Sequence, residues 1–119
     1  MAVAVAPNHF SKAMRMKTVE GSKKKLSLHI EPIGGHTMSS YNFAVEYFTS
    51  TMRVVKLTKE DLLKQDDNTY IIRVDTTLTG CGDLKVRVIA YIPDSDFVEG
   101  VREEIYDFET DIEVVSRLR

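Results

Sequence analysis

Within residues 84–92 every second side chain is apolar, and the intervening positions are Lys, Arg, Ile and Tyr, which gives a period of two. A β-strand with one face on a core requires that period. At roughly 3.3 Å per residue, such a strand is close to 30 Å long, about the height of a small β-sandwich. A Gly-Cys-Gly corner at residues 80–82 precedes it, and a Pro-Asp-Ser-Asp turn at residues 93–96 follows it. The pattern predicts that the core-facing residues are Leu84, Val86, Val88, Ala90 and Ile92.

Six further segments of the 119-residue chain have strand-like patterns, and turn signals separate them. Thr58 and the three residues after it predict a turn or a single helical turn. Seven short strands with little helix predict an antiparallel, immunoglobulin-like β-sandwich, and a small barrel is the alternative architecture. The predicted strands are residues 26–30, 41–48, 52–57, 70–74, 84–92, 102–108 and 112–115.

Residues 1–24 differ from this pattern and are interpreted as an N-terminal docking arm, with a β-sandwich domain at residues 25–119. A short strand-like piece at residues 2–6 ends at Pro7, which cannot donate a ladder hydrogen bond. Asn8 could cap one or two helical turns that place Phe10, Ala13 and Met14 on one face. A helix this short is only marginally stable in water, and the arm is therefore expected to fold on a partner surface.

Charge is unevenly distributed along the chain. Residues 1–59 hold nine Lys/Arg and three Asp/Glu, a net charge of +6, whereas residues 60–119 hold seven Lys/Arg and fifteen Asp/Glu, a net charge of −8. A basic arm favours docking on an acidic protein surface or on a second copy of the chain. A solvated tail and a nucleic-acid contact are the alternatives, although aromatic residues are scarce in the arm. The predicted partner-binding residues are Val3, Val5, Phe10, Met14, Arg15, Lys23, Lys24 and Lys25.

No pattern in the sequence predicts an enzyme, a cofactor or a metal site. Asp94, Asp96 and Glu99 could offer oxygen ligands to calcium, but a turn between two strands explains the same residues. The three histidines are scattered, and the acidic alternation at residues 109–113 is interpreted as one solvated sheet face. Cys81 is interpreted as a small residue in a tight corner, and a single cysteine excludes an internal disulfide.

The sequence also bears on where the protein is made. No apolar run approaches the roughly 20 residues of a membrane helix. The first seven residues make a poor signal peptide, because no cationic region precedes a short apolar run. Synthesis in a reducing cytoplasm is therefore expected.

Five segments carry a family resemblance: Tyr-Ile-Ile-Arg-Val-Asp at 70–75, Thr-Gly-Cys-Gly at 79–82, residues 84–94, residues 96–102 and Glu-Thr-Asp-Ile-Glu-Val at 109–114. Through them, residues 66–115 resemble a small domain that recurs in structural proteins of tailed phages and prophages, especially those of gut Bacteroidetes. The resemblance is clear in this C-terminal half and loose over residues 26–57, and the chain ends where a fibre protein would continue into a shaft.

The family consists of immunoglobulin-like modules that anchor baseplate, fibre and head-fibre proteins to the virion. The resemblance therefore implies a non-enzymatic virion protein made in the bacterial cytoplasm: a capsid decoration, a head-fibre or tail adaptor, or a fibre base. Its expected partners are capsid, neck or tail proteins and other copies of itself, with no nucleic acid, no membrane and no cofactor. The alternative is a carbohydrate-binding or host-adhesion module that uses Tyr41, Tyr91 or Phe97.

Overall fold

The computed structural model describes residues 2–4 and 16–117, and these residues form nine β-strands and one short 3₁₀ helix. The helix spans Lys59–Asp61, where the capping pattern after Thr58 predicts a helical turn. The strands are β1 (Ala2–Ala4), β2 (Met16–Val19), β3 (Lys23–His29), β4 (Asn42–Phe48), β5 (Val55–Thr58), β6 (Leu63–Asp66), β7 (Thr69–Asp75), β8 (Gly82–Pro93) and β9 (Val101–Val115).

The strands form two sheets that pack face to face as a sandwich. A four-stranded sheet has the order β1-β3-β7-β6, and a five-stranded sheet has the order β2-β9-β8-β4-β5. Neighbouring strands are antiparallel except at one edge of each sheet, where β1 runs parallel to β3 and β2 runs parallel to β9. The prediction of an all-β sandwich is therefore confirmed.

Strand β8 lies at the centre of the five-stranded sheet, between β4 and β9. Its five predicted core residues are all fully buried, as the period of two requires. Across the sandwich they meet apolar residues of β3 and β7, such as Leu26, Leu28 and Ile72. The Phe43 ring of β4 contacts the Tyr70 ring of β7 edge to face, with 5.2 Å between ring centroids, and so joins the two sheets.

The prediction of seven strands is wrong in several places. Strand β6 is fully exposed and carries no core pattern, so periodicity does not reveal it. Met52 lies in a turn, and the strand predicted from it begins at Val55. The last two predicted strands are one continuous strand, β9. The polar residues at 109–111 look like a break, but Thr110 is buried and its hydroxyl donates to the Leu84 carbonyl, at 2.8 Å.

Part of the segment predicted as an arm pairs within the two sheets. Ala2–Ala4 pairs with residues 26–28 of β3, and Met16–Val19 pairs with residues 112–115 of β9. Lys23–His29 forms β3, so the sandwich includes the last two residues of the predicted arm. Residues 5–15, which contain the predicted helical turns, lie outside the described residues.

A corner at residues 76–82 carries the chain from β7 in one sheet to β8 in the other, and threonine side chains hold it. The Thr79 carbonyl accepts hydrogen bonds from the hydroxyls of Thr49 and Thr51 in the β4–β5 loop. The Thr76 hydroxyl donates to the Ser22 carbonyl at 2.6 Å, which connects the β2–β3 turn to the same corner. Buried polar groups must be paired, and here threonine supplies the partners without leaving the core.

Candidate protein-interaction surface

The outer face of the five-stranded sheet combines an apolar row with a charged row. Ala44, Ile89 and Ile105 lie side by side on β4, β8 and β9, and 57% of the Ile105 side-chain surface is exposed. The neighbouring row is charged and crosses four strands, with Lys56, Glu46, Arg87 and Asp107 in register. The face therefore combines a short apolar row with a row of charged residues beside it.

Arg87 is the most firmly held charged side chain of this face. Its guanidinium forms a bidentate pair with Asp107, with nitrogen–oxygen distances of 2.7 and 3.2 Å, and lies 5.4 Å from the centroid of the Phe48 ring. These hydrogen bonds lower the pKa of Asp107 and raise the pKa of Arg87. A guanidinium fixed by two acceptors and a ring loses little side-chain entropy when a partner docks on it.

A groove opens next to Phe48, where β4 ends and β8 begins. Its volume is about 330 Å³, and a second hollow of about 210 Å³ adjoins it through the shared residues Phe48 and Lys85. The larger volume is at the lower limit of the roughly 300–1,000 Å³ typical of ligand sites, so it suits one or two apolar side chains. We call it the Phe48 groove, and its lining residues are Phe48, Thr49, Ser50, Met52, Gly82, Asp83 and Lys85.

Met52, which lines this groove, has an unfavourable backbone conformation. Its φ angle is +67°, and among the described residues it is the only non-glycine residue with a positive φ. The residue is 73% exposed, so burial does not compensate for the strain. The loop forces this conformation, because Met52 N–H donates to the Thr49 carbonyl while Thr49 and Thr51 are bound to the corner. A strained residue that displays an apolar side chain to solvent is a marker of a functional site.

The loop between β8 and β9, residues 94–100, forms the tip of the longest hairpin. Its backbone is fixed by hydrogen bonds from Asp94 N–H to the Gly100 carbonyl, 2.8 Å, and from Gly100 N–H to the Phe97 carbonyl, 2.8 Å. The Asp94 carboxylate accepts from Asp96 N–H and from Arg102. These contacts are those of a turn, which is the interpretation that the sequence favours over a calcium site. Within residues 2–4 and 16–117, no cluster of three metal-ligating side chains occurs.

Next to the tip, several polar side chains that are linked by hydrogen bonds lie between the two sheets. Glu104 accepts hydrogen bonds from the Tyr106 hydroxyl and from Arg102, and these bonds lower the pKa of Glu104. Burial and the Glu104 contact raise the pKa of Tyr106 to about 12. Burial also raises the pKa of Tyr41 to about 12, and its hydroxyl has no hydrogen-bond partner among the described residues.

The structure places the predicted partner-binding lysines at one end of β3. Lys25 lies directly opposite Arg73 of β7, and Lys23 lies opposite Asp75. Strand β1 pairs only with residues 26–28, so the three lysines extend beyond it along the sheet edge. Lysines at such an edge also prevent pairing with another sheet, which gives them a structural role besides docking.

Of the other predicted partner-binding residues, only Val3 belongs to the described part of the chain. Val3 lies on β1, in register with Ser27 of β3. Val5, Phe10, Met14 and Arg15 lie outside the described residues. The structure therefore brings together Lys23, Lys24 and Lys25 on β3, the strand that pairs with the strand of Val3.

The aromatic residues predicted for glycan binding are spread over three environments. Tyr41 is buried, Tyr91 is half-buried on the outer sheet face, and Phe97 is exposed in the tip loop. No shared platform for a sugar ring is formed by these three residues. Cys81 is half-buried beside Glu20, with 3.9 Å between sulfur and oxygen.

The residues of the Phe48 groove were not predicted from the sequence as a site. The available signal was Phe48 itself, an aromatic residue on the polar parity of its strand. Met52 gave no such signal, because its segment has a strand-like pattern, and such a pattern does not indicate a left-handed backbone conformation. Sequence periodicity therefore misses the groove.

No protein-family model matches this chain, and no curated protein or solved structure is significantly similar to it. Within the described part of the chain, no helix is long and apolar enough to cross a membrane.

Proposed function

We propose that this protein is an immunoglobulin-like structural module of a tailed-phage virion, and that it binds a partner protein through the Phe48 groove and the sheet face beside it. The groove carries the proposal, because it displays Phe48 and the strained Met52 next to an immobilised arginine. No catalytic step is part of the proposal.

The strand order supports the immunoglobulin-like assignment. The order β1-β3-β7-β6 corresponds to strands A-B-E-D of that fold, and β9-β8-β4-β5 corresponds to G-F-C-C′. Two features depart from antibody domains: β1 is parallel to β3, and the chain has one cysteine instead of an inter-sheet disulfide. A fold of this kind supports many functions, so the functional argument depends on the groove.

The chemistry of the groove favours a protein partner. Phe48 and Met52 offer an aromatic ring and a flexible thioether, which together accommodate an inserted apolar side chain. Lys85 and Arg87 lie at the side of the groove and can orient acidic groups of the partner. An apolar anchor with a polar rim is the usual anatomy of a protein interface.

The virion setting comes from the family resemblance of residues 66–115. In that setting the basic residues Lys23, Lys24 and Lys25 provide a second contact on a capsid, neck or tail protein. Individually weak contacts suffice there, because a symmetric particle repeats them and multiplies the overall affinity.

The test compares particle incorporation of the wild-type chain with that of two variants. A groove variant combines Met52→Gly, which removes the side chain at a backbone angle that glycine tolerates, with Lys85→Thr, which keeps a strand-forming residue. Leu63→Ser is the matched control, because Leu63 is an exposed apolar residue on the other sheet. The readout is the amount of the chain in purified particles, measured by quantitative mass spectrometry against the capsid protein.

We expect the groove variant to lose incorporation about tenfold or more, as for an interface hot spot, and the control to match the wild type. Absence of the wild-type chain from particles would refute the virion setting. Equal incorporation of the groove variant and the wild type would refute the role of the groove.

A further inference from the structure

The two ends of the sandwich carry different charge. At the end that contains the hairpin tip, residues 30–41, 59–68 and 93–104 hold ten Asp/Glu and three Lys/Arg. At the end that contains the corner, residues 20–25, 49–54, 75–85 and 111–117 hold six Lys/Arg and five Asp/Glu. We call these the tip end and the corner end. A strongly acidic end and a slightly basic end attract each other when copies of the chain meet head to tail.

The tip end also displays the apolar group that such a contact needs. Val98 is fully exposed and Phe97 is 50% exposed. The loop that holds them is fixed by its own hydrogen bonds and by the 2.7 Å ion pair between Arg102 and Asp94. The two side chains are therefore displayed on a preorganised support, which lowers the entropic cost of docking.

The receptor for these side chains lies at the corner end. The Phe48 groove is lined by the first residues of β8, whereas the tip loop follows the last residue of β8. Eleven residue steps separate Gly82 from Pro93, roughly 35 Å of extended strand. A chain therefore cannot place its own tip in its own groove, but a second copy can.

We infer that copies of this chain associate head to tail, with Phe97 and Val98 of one copy inserted between Phe48 and Met52 of the next. The inference rests on the proposed function, for which it names the partner that occupies the groove. The groove volume of about 330 Å³ suits the two apolar side chains of the tip. Asp96 and Glu99 of the tip would lie near Lys85 and near Arg53, which follows Met52 in the same loop. In this arrangement each copy uses its tip on one neighbour and its groove on another, so the interface is heterologous and generates a ring or an open fibre.

Sedimentation velocity over a concentration series up to about 1 mM tests this inference. A tip variant combines Phe97→Ser with Val98→Ser, the groove variant is Met52→Gly with Lys85→Thr, and Leu63→Ser is the control. The wild type and the control should form oligomers, more strongly at low salt because the ends attract by charge. Each double variant should associate about tenfold or more weakly than the wild type.

Mixing the two double variants tests whether the tip of one copy binds the groove of another. A tip variant retains an intact groove and a groove variant retains an intact tip, so a 1:1 mixture should form a heterodimer and nothing larger. A two-fold dimer with reciprocal tip and groove contacts would also give this heterodimer, but its wild type would stop at a dimer. A wild type that stops at a dimer, or absence of heterodimer in the mixture, overturns the inference. A wild-type chain that is monomeric at about 1 mM overturns it as well.

A second measurement does not depend on variants that disrupt the contact. A nitroxide is attached at Ser95→Cys in a Cys81→Ser background, and this chain is mixed with an isotope-labelled wild-type chain. Line broadening in the labelled chain should centre on residues 48–52 and 82–85. Broadening centred on another surface overturns the inference.

The outcomes separate this inference from the proposed function. If the wild-type chain is monomeric but the groove variant still loses particle incorporation, the inference fails and the proposed function stands. If the chain associates head to tail but the groove variant is incorporated normally, the proposed function fails and the inference stands.

Discussion

Glycines at the two ends of the sandwich have different physical roles. Gly80 in the corner and Gly100 in the tip have nearly the same φ, +75° and +78°. A Cβ at Gly80 would lie 2.8 Å from the Thr51 methyl group, whereas a Cβ at Gly100 would meet nothing within 4 Å. The corner needs glycine for space and for conformation, but the tip needs it only for conformation.

Two buried tyrosines, one near each end of β4, show a similar contrast. The Tyr47 hydroxyl, towards the corner, accepts a hydrogen bond from Asp75 N–H at 3.1 Å. The Tyr41 hydroxyl, at the other end of the strand, is buried without a hydrogen-bond partner among the described residues. Of these two buried hydroxyls, the one towards the corner is therefore paired and the one towards the tip is not, so we expect their removal to change stability differently.

The largest effect is expected when two single variants, Gly80→Ala and Gly100→Ala, are compared. Both place a Cβ at a left-handed φ, which costs about 1–2 kcal/mol. Gly80→Ala adds an overlap with Thr51, which hydrogen bonding to Thr79 prevents from moving away, so its total should reach about 2–4 kcal/mol. Urea denaturation measures both values, and equal losses would show that the corner is not sterically constrained.

A smaller effect is expected from the pair Tyr47→Phe and Tyr41→Phe. Tyr47→Phe leaves Asp75 N–H without its acceptor and should lower the free energy of unfolding by about 1 kcal/mol. Tyr41→Phe removes an unpaired buried hydroxyl and should leave stability unchanged or slightly higher. Thermal and urea unfolding measure both variants. The same decrease in the free energy of unfolding for both would contradict this contrast.

The smallest effect concerns pH and the tip end. The pKa of Glu104 is lower in the folded chain because Tyr106 and Arg102 donate to it, so the ionised form contributes stability above the unfolded pKa of about 4.3. That contribution is lost as pH falls through the lower folded pKa. Glu104→Gln should therefore be less stable than the wild type at pH 7, and the difference should shrink towards pH 3. A difference that stays constant over this range would exclude ionisation of Glu104 as its cause.

Much of the five-stranded sheet could be predicted from periodicity, because the inward-facing positions of β4 and β8 are all apolar. The core parity of β8 and the outward parity of Glu109, Asp111 and Glu113 are both as predicted. The short edge strands could not be predicted, since β6 has no buried residue and its pairing with β7 defines it. Strand order could not be predicted either, because periodicity indicates only which face of a strand is buried.

The candidate site was less predictable than the fold. Aromatic and basic residues can be read from the chain, but Tyr41 is in the core while Phe48 lines a groove. The groove arises where the end of β4 and the start of β8 meet, 34 residues apart in sequence from Phe48 to Gly82. Such a site depends on which strands are neighbours, and therefore on the tertiary structure.

The sequence by itself determined the all-β class, the buried faces of β4 and β8 and the separation of charge along the chain. These follow from local periodicity and composition, which do not depend on distant contacts. Only the tertiary structure decided that β8 and β9 form one long hairpin with a constrained corner and an exposed tip. It also decided that the acidic tip end and the slightly basic corner end lie at opposite ends of the sandwich, because register and strand order are set by packing between segments far apart in sequence.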